Sequence, residues 1–171
     1  NTVIDEALKR PFGARFYRCA LQINPFEYLQ RHGKETPFST EDEYNTAILD
    51  ALQEENVEVI AITDHYRVKT STSLADAARE RGIHAFNGFE AVTKDGVHVL
   101  CVFDDSTGID KVDRFLGDCG IHDDAEASPT GTKDLDELLT ACAEQWKGIC
   151  VAAHVCSSGG LLEKLTGQTA M

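Results

Sequence analysis

Polar residues that can bind a metal ion follow two apolar segments of the chain. The apolar run at 59–62 ends in Thr63, Asp64 and His65, which predicts a buried strand with polar chemistry at its carboxyl end. The apolar run at 148–153 repeats this arrangement and ends at His154. Active sites of α/β folds are built at the carboxyl ends of strands. We therefore expect His65 and His154 to meet at one edge of a sheet.

Two further candidate ligands, Glu90 and His98, lie between these segments in strand-like sequence. Taken singly, Glu90 is explained as well by an exposed residue on a half-wet strand, and His98 by a histidine satisfied in the core or at the surface. A buried carboxylate is unfavourable without a compensating cation. Three imidazoles and one carboxylate together suit one or two zinc, manganese or iron ions.

Neighbouring residues offer supporting roles, each with a simpler alternative. Asp64 can orient the ring of His65, or it can cap the loop that follows the strand. His32 lies in a long loop and can reach the site or remain in solvent. The Ser-Ser-Gly-Gly segment at 157–160 can hold a phosphate through backbone N–H groups, or it can simply begin a helix.

Composition limits the class of protein. The apolar fraction of 42% and charged fraction of 26% are typical of a soluble globular chain. No apolar run reaches the ~20 residues that a membrane helix needs, and the first residues do not resemble a signal peptide, so we expect a cytoplasmic protein without a membrane partner. The net charge of −13 argues against a basic face for nucleic acid, although metal ions could still hold such a substrate.

The remaining cysteines and histidines predict no chemistry of their own. Six cysteines are present, without a Cys-x-x-Cys pair or a zinc-ribbon spacing. Cys101 and Cys150 lie inside apolar strands, and we expect the cysteines to be buried, reduced and structural. His84 and His122 do not fall at the carboxyl ends of strands and are expected at the surface.

The hydrophobic pattern alternates between strand and helix along the chain. It predicts an α/β fold with a mainly parallel sheet and helices outside it. Residues 1–14 are predicted to be irregular or a short helix, and residues 24–39 a long loop. Strands are predicted at 15–23, 57–62, 83–92, 96–103 and 148–153, and helices from a cap at 39–40 to about 55, at 72–81, at 109–117, at 135–146 and after 160.

These motifs resemble those of the PHP family, the polymerase and histidinol phosphatase domain. Residues 60–65, Ile-Ala-Ile-Thr-Asp-His, resemble its second motif. Residues 87–92, followed by Val-His-Val-Leu at 97–100, resemble its third motif, and Val-Ala-Ala-His at 151–154 resembles its later Ala-His motif. Their order and spacing agree with the family over roughly residues 15–165.

The resemblance implies a distorted (β/α)7 TIM-like barrel, incomplete in this chain, that hydrolyses phosphate esters with divalent metal ions. By that match His65, Glu90, His98 and His154 would be metal ligands and Asp64 would support them, with catalytic roles for His65, Glu90 and His154. Residues 1–171 would form one PHP-like domain that holds the N-terminal part of the barrel and is a fragment of a longer protein. The chain is similar to PHP domains at the head of large AAA or SMC-like ATPases, which implies a linked ATPase and a nucleotide or nucleic acid substrate.

The first motif departs from the family. Its Asp-Leu-His-x-His is replaced by Ala20-Leu21-Gln22-Ile23-Asn24, and its final Asp-x-His motif would lie beyond Met171. Amide oxygens can bind hard cations but are poor zinc ligands. Two hypotheses therefore stay open: a metal-dependent phosphoesterase with a reduced site, and a catalytically inactive module that binds a nucleotide, a nucleic acid or a protein partner.

Overall fold

The computed structural model describes residues 9, 16–122 and 128–164, which contain one five-stranded sheet and six α-helices. The predicted irregular start at 1–14 lies outside these residues, Lys9 apart. The sheet is curled into half a barrel. Its strands follow chain order: β1 (Cys19–Ile23), β2 (Val59–His65), β3 (His84–Val92), β4 (His98–Phe103) and β5 (Gly148–Ala152). The helices are α1 (Phe26–Arg31), α2 (Glu41–Glu54), α3 (Thr72–Glu80), α4 (Ile109–Asp118), α5 (Leu135–Thr140) and α6 (Leu161–Lys164).

The directions of the strands show that the expected (β/α)7 TIM-like barrel is wrong. β1–β2 and β2–β3 pair in parallel, whereas β3–β4 and β4–β5 pair antiparallel. A (β/α) barrel is built from parallel strands, each followed by a helix. Residues 93–97 alone connect β3 to β4, which is too short for the crossover of about a dozen residues that a parallel pairing needs. The expected mainly parallel sheet is therefore parallel in half of its pairings.

Most of the predicted elements are present with shifted ends. The strands expected at 57–62, 83–92, 96–103 and 148–153 are confirmed as β2 to β5, but β1 begins at Cys19 rather than at 15. The loop expected at 24–39 contains α1, which that prediction missed. The helix expected at 135–146 begins as α5 at a capping box made by Asp134 and Glu137 and continues as the π-helical turn Ala141–Gln145. No helix in the described part of the chain is long and apolar enough to cross a bilayer.

One face of the sheet is covered by helices, and we call it the helix face. Side chains alternate between the two faces of a strand, so residues of one parity share a face. Ile60, Ile62 and Ala85 pack there against leucines and alanines of α2 and α3. Phe89 and Phe103 pack against α4, α5 and the π-helical turn. These two apolar clusters hold the helices on the sheet.

The opposite face combines a smaller apolar cluster with the candidate ligands, and we call it the histidine face. Its apolar cluster contains Ala61, Leu100, Val102 and Ala153. Within its own strand, each candidate ligand is an even number of residues from one that belongs to this cluster or packs against it, so His65, Glu90 and His98 lie on this face. The strands that pack the apolar cores therefore also carry the candidate ligands.

Tyr66 contributes a part of the protein's stability that is lost at alkaline pH. Its ring is buried and its hydroxyl donates a hydrogen bond to the Val92 carbonyl at 3.0 Å. Burial raises the pKa of Tyr66 well above its ordinary value of 10.0, because the phenolate is poorly solvated there. The folded chain keeps a proton that the unfolded chain loses, so this contribution to stability is complete below pH 10.0 and is lost as the pH rises above it.

Replacing Tyr66 by phenylalanine is expected to flatten the alkaline loss of stability. The substitution removes one hydrogen bond, at a cost of about 1 kcal/mol at neutral pH, but it also removes up to about 1.4 kcal/mol of loss per pH unit above pH 10. The free energy of unfolding in urea, followed from neutral pH to about pH 11, measures both effects. Cys119, whose pKa burial raises to about 12, contributes equally to both proteins. Equal alkaline slopes for the native chain and Tyr66→Phe would contradict this account, and Tyr17→Phe, on an exposed tyrosine, is the control.

Candidate metal centre

Glu90 lies at the centre of a group of imidazoles on the histidine face. Its side chain is 3% exposed. Glu90 Oε1 lies 2.7 Å from His98 Nδ1 and 3.4 Å from His154 Nε2, and Glu90 Oε2 lies 3.9 Å from His65 Nε2. The structure therefore brings together all four residues for which the sequence predicts metal binding.

The sheet register explains why these residues meet. His65 and Glu90 are direct partners in the parallel pairing of β2 and β3, at the carboxyl end of β2. His98 begins β4 opposite Val92, two residues after Glu90 in β3. His154 follows the end of β5 with φ of +28°, a left-handed conformation that is unfavourable for a residue with a side chain. Such strain in a non-glycine residue is concentrated at functional sites.

The donor atoms of this group fit a divalent cation. Ligand atoms of His65, Glu90 and His98 lie within 4.8 Å of one another. His65 is 8% exposed, and its Nδ1 has no hydrogen-bond partner among the described residues. Burial lowers the pKa of His65, an effect that the nearby Glu90 carboxylate opposes. A neutral imidazole keeps the lone pair that metal binding requires, so nitrogen and carboxylate donors suited to zinc, manganese or iron are present.

A glycine makes room for the ring of His98. Gly159 has φ of +77°, and a Cβ atom there would lie 2.6 Å from the His98 ring. The Gly159 carbonyl also accepts a hydrogen bond from the His98 backbone N–H at 2.9 Å. The backbone of the segment after β5 thus packs directly against the His98 ring and holds it in place. Only glycine permits so close an approach at position 159.

The same segment does not present a free set of amides to a phosphate. The Ser157 N–H donates to the His154 carbonyl, and the Gly160 N–H donates to the Ser157 carbonyl. The Gly159 N–H donates to the Glu163 carboxylate at 2.6 Å. Three of the four amides at 157–160 are therefore used within the turn and the start of α6. The helix-start alternative describes this segment.

Helix α1 supplies a wall of the site that the sequence analysis missed. The Tyr28 ring stacks on the His65 ring with centroids 5.8 Å apart, and the His32 ring lies 5.7 Å from that of His65. His32 Nδ1 donates to the Tyr28 carbonyl at 2.8 Å. Burial raises the pKa of Tyr28, and the negative charges of Glu90 and Asp64 add to this. Of the two alternatives for His32, the structure shows the one near the site, because α1 brings its ring close to that of His65.

Asp64 does not orient His65 as the sequence predicted. Adjacent residues of a strand point to opposite faces, and Asp64 lies on the other side of β2 from His65. Its fully buried carboxylate forms an ion pair with Arg31 of α1 and accepts a hydrogen bond from Thr70 Oγ1 at 3.1 Å. Asp64 thus anchors α1 to the sheet, and it acts on the site through that helix.

The two altered first-motif positions, Gln22 and Asn24, differ in their side-chain contacts. Gln22 Nε2 donates to Glu90 Oε2 at 2.7 Å, so its amide steadies the carboxylate. Asn24 has a buried side-chain oxygen with no hydrogen-bond partner in the described part of the chain. Its backbone carbonyl accepts a hydrogen bond from Tyr44. Gln22 therefore contacts Glu90 directly, whereas Asn24 keeps an unused oxygen donor near the end of β1.

The other predicted histidines and cysteines divide between surface and core. His84 and His122 are exposed, as predicted. All six cysteines are unpaired, but Cys19 and Cys156 are exposed, so the expectation that the cysteines are buried is wrong for those two. They lie at the start of β1 and just after His154, where the chain leaves the apolar core.

No known protein family and no curated protein matches the chain. The resemblance to PHP motifs therefore rests on the residues at 60–65, 87–92, 97–100 and 151–154.

Proposed function

We propose that the chain is a metal-dependent phosphoesterase whose centre is Glu90. The observation that carries this proposal is the approach of three imidazoles to one buried carboxylate, at 2.7, 3.4 and 3.9 Å. His65, Glu90, His98 and His154 would hold one or two divalent ions, of zinc, manganese or iron. When bound, such an ion polarises a phosphoryl group and lowers the pKa of a water ligand.

The chain's own residues supply positioning and proton transfer. Gln22 holds one oxygen of Glu90, and Gly159 holds the His98 ring against movement. His154 is about one third exposed, with its Nε2 toward Glu90, so it can exchange a proton with the leaving oxygen of a phosphate ester at the rim. Tyr28 and His32 shield the His65 side of the site.

An inactive binding module is the second candidate, and the contact between Gln22 and Glu90 favours it. An amide there offers a hydrogen bond where the resembled family has a histidine ligand. The module would bind a nucleotide, a nucleic acid or a protein partner through the same face. Both candidates include the proposal of a cytoplasmic, reducing location, which six unpaired cysteines favour. The linked ATPase remains a prediction.

Metal content and hydrolysis distinguish the two candidates. The chain is purified without chelator, its metals are counted by elemental analysis, and hydrolysis of nitrophenyl phosphate mono- and diesters is followed with added Mn²⁺ or Zn²⁺. The phosphoesterase proposal expects bound metal and hydrolysis, both reduced in His154→Ala and unchanged in His84→Ala, a control on an exposed histidine. Metal that is bound in the native chain and lost in His154→Ala, without hydrolysis, supports the binding module. Equal metal content in the native chain and in His154→Ala would overturn the metal centre.

A further inference from the structure

Three cysteines meet on the helix face of the sheet. Cys101 of β4 and Cys150 of β5 are direct partners in the antiparallel register, and their sulfur atoms lie 3.9 Å apart. Cys142, from the π-helical turn Ala141–Gln145, joins this pair, and all three sulfurs lie within 4.8 Å of one another. Three separate elements thus bring one sulfur each to a single place. The alternation along β4 puts this group on the other side of the sheet from Glu90 and His98.

The spacing of the sulfurs suits a shared metal ion. The sulfurs of a disulfide are about 2.05 Å apart, and Cys101 and Cys150 are not bonded. Two thiolates that bind one zinc ion at about 2.3 Å in tetrahedral geometry lie about 3.8 Å from each other. The observed 3.9 Å therefore requires little movement of either strand. The Cys142 sulfur would have to move toward the other two by at most about 1 Å.

The core leaves room for this group at a glycine. A Cβ atom at Gly148 would lie 2.8 Å from Cys142 Sγ and 2.5 Å from the Phe103 ring, so a larger residue there would displace the third thiol. Cys101 and Cys142 are fully buried, whereas Cys150 is half-buried. Cys150, on the last strand of the sheet, is thus the partly exposed member of the group, and an ion would enter from its side.

We propose that Cys101, Cys142 and Cys150 form a second metal site, which takes a closed-shell thiophilic ion of the zinc and cadmium type. Binding of a divalent ion to three thiols releases three protons and leaves a net charge of −1 at the site, with a water molecule as fourth ligand at the Cys150 side. No oxidation or reduction takes place. Sulfur donors favour cadmium, whereas the nitrogen and carboxylate donors around Glu90 also suit manganese and iron, and zinc suits both sites.

Such an ion ties together the elements that follow β3. It links β4, β5 and the turn after α5, whose mutual packing is otherwise apolar. The binding free energy of the ion adds to the folding free energy when the unfolded chain binds it more weakly. The inference does not rest on the proposed phosphoesterase, because it uses other residues on the other face of the sheet.

Cadmium titration of the reduced chain tests the proposal. The sulfur-to-cadmium charge-transfer absorption in the ultraviolet reports thiolate binding alone and does not detect nitrogen or oxygen ligands. We expect one Cd²⁺ per chain. Loss of an outer-shell partner weakens metal binding by about 10–100-fold, and we expect Cys142→Ser, which removes a ligand itself, to weaken Cd²⁺ binding further than that. Cys119→Ser, on a buried cysteine of the same apolar cluster, and the exposed pair Cys19→Ser with Cys156→Ser are the controls.

A measurement on the native chain covers the case in which Cys142→Ser does not fold. X-ray absorption at the cadmium edge, with one ion per chain, counts the sulfur ligands, and three are expected. Fewer than three sulfurs, no charge-transfer band, or a folded Cys142→Ser that binds cadmium as tightly as the native chain would each overturn the proposal. Glu90→Gln should leave the band unchanged, so failure of the thiol site and failure of the phosphoesterase site give different results.

Discussion

Glu90→Gln is expected to abolish the rise in melting temperature that Mn²⁺ gives to the native chain. Glutamine keeps the size of glutamate but removes the negative charge on which three imidazoles converge. A cation at 100 times its dissociation constant stabilises the folded chain by about 2.7 kcal/mol, which corresponds to about 5–10 °C for a chain of this size. We expect this shift with Mn²⁺ in the native chain and none in the variant, measured by thermal unfolding.

The matched control for Glu90 is an exposed carboxylate. Glu80→Gln, at the end of α3, removes the same charge from the surface and should keep the full metal-induced shift. Hydrolysis of phosphate esters should fall by at least about 100-fold in Glu90→Gln, the scale on which loss of one stabilising group acts in a preorganised site. If Glu90→Gln keeps both the shift and the hydrolysis, Glu90 is not the centre of the site.

Arg31→Met should destabilise the protein strongly because it removes a cation that pairs with the buried Asp64 carboxylate. The Asp64 side chain is fully buried, and that of Arg31 is 15% exposed. Removing one partner of such a pair costs about 3–5 kcal/mol. The free energy of unfolding in urea measures this loss. The change should also release α1, with Tyr28 and His32, from the site.

Two further variants separate the buried charge from other effects of losing Arg31. The double variant Arg31→Met with Asp64→Asn removes both charges and should recover a large part of the lost stability. Arg81→Met breaks the pair with Asp50, whose side chain is 60% exposed, and should cost no more than about 1 kcal/mol. A double variant as unstable as Arg31→Met alone would show that shape, and not charge, decides this contact.

Much of the candidate site follows from simple patterns in the sequence. Apolar runs that stop at His65 and His154 predict two strands, and the polar residues after them predict where those strands lead. The period of two then places Glu90 and His98 on one face of their own strands. Asp64 is next to His65 in the sequence, and this proximity predicts a place for it in the site. The same period of two, however, puts adjacent residues of a strand on opposite faces.

The direction of the strands and the position of α1 were harder to predict. Apolar alternation is the same for parallel and antiparallel strands, so it does not distinguish them. The turn at Lys94–Gly96 was the available signal, because so short a connection permits an antiparallel pair alone. Helix α1 has six residues, too few for a clear helical period, and it lies among prolines and a glycine that suggest a loop. Its helical form depends on tertiary contacts such as Arg31 with Asp64.

The five-residue connection between β3 and β4 also bears on the order in which the protein folds. Closing a short loop loses little chain entropy. The segments that connect β1 to β2 and β2 to β3 are longer and contain helices, so these pairings lose more entropy and form more slowly. The β3–β4 hairpin can therefore form from local contacts alone, and it carries Glu90 and His98. Half of the candidate metal centre would then be assembled before the strands that deliver His65 and His154 arrive, so an ion present during folding has a partial site to occupy from the start.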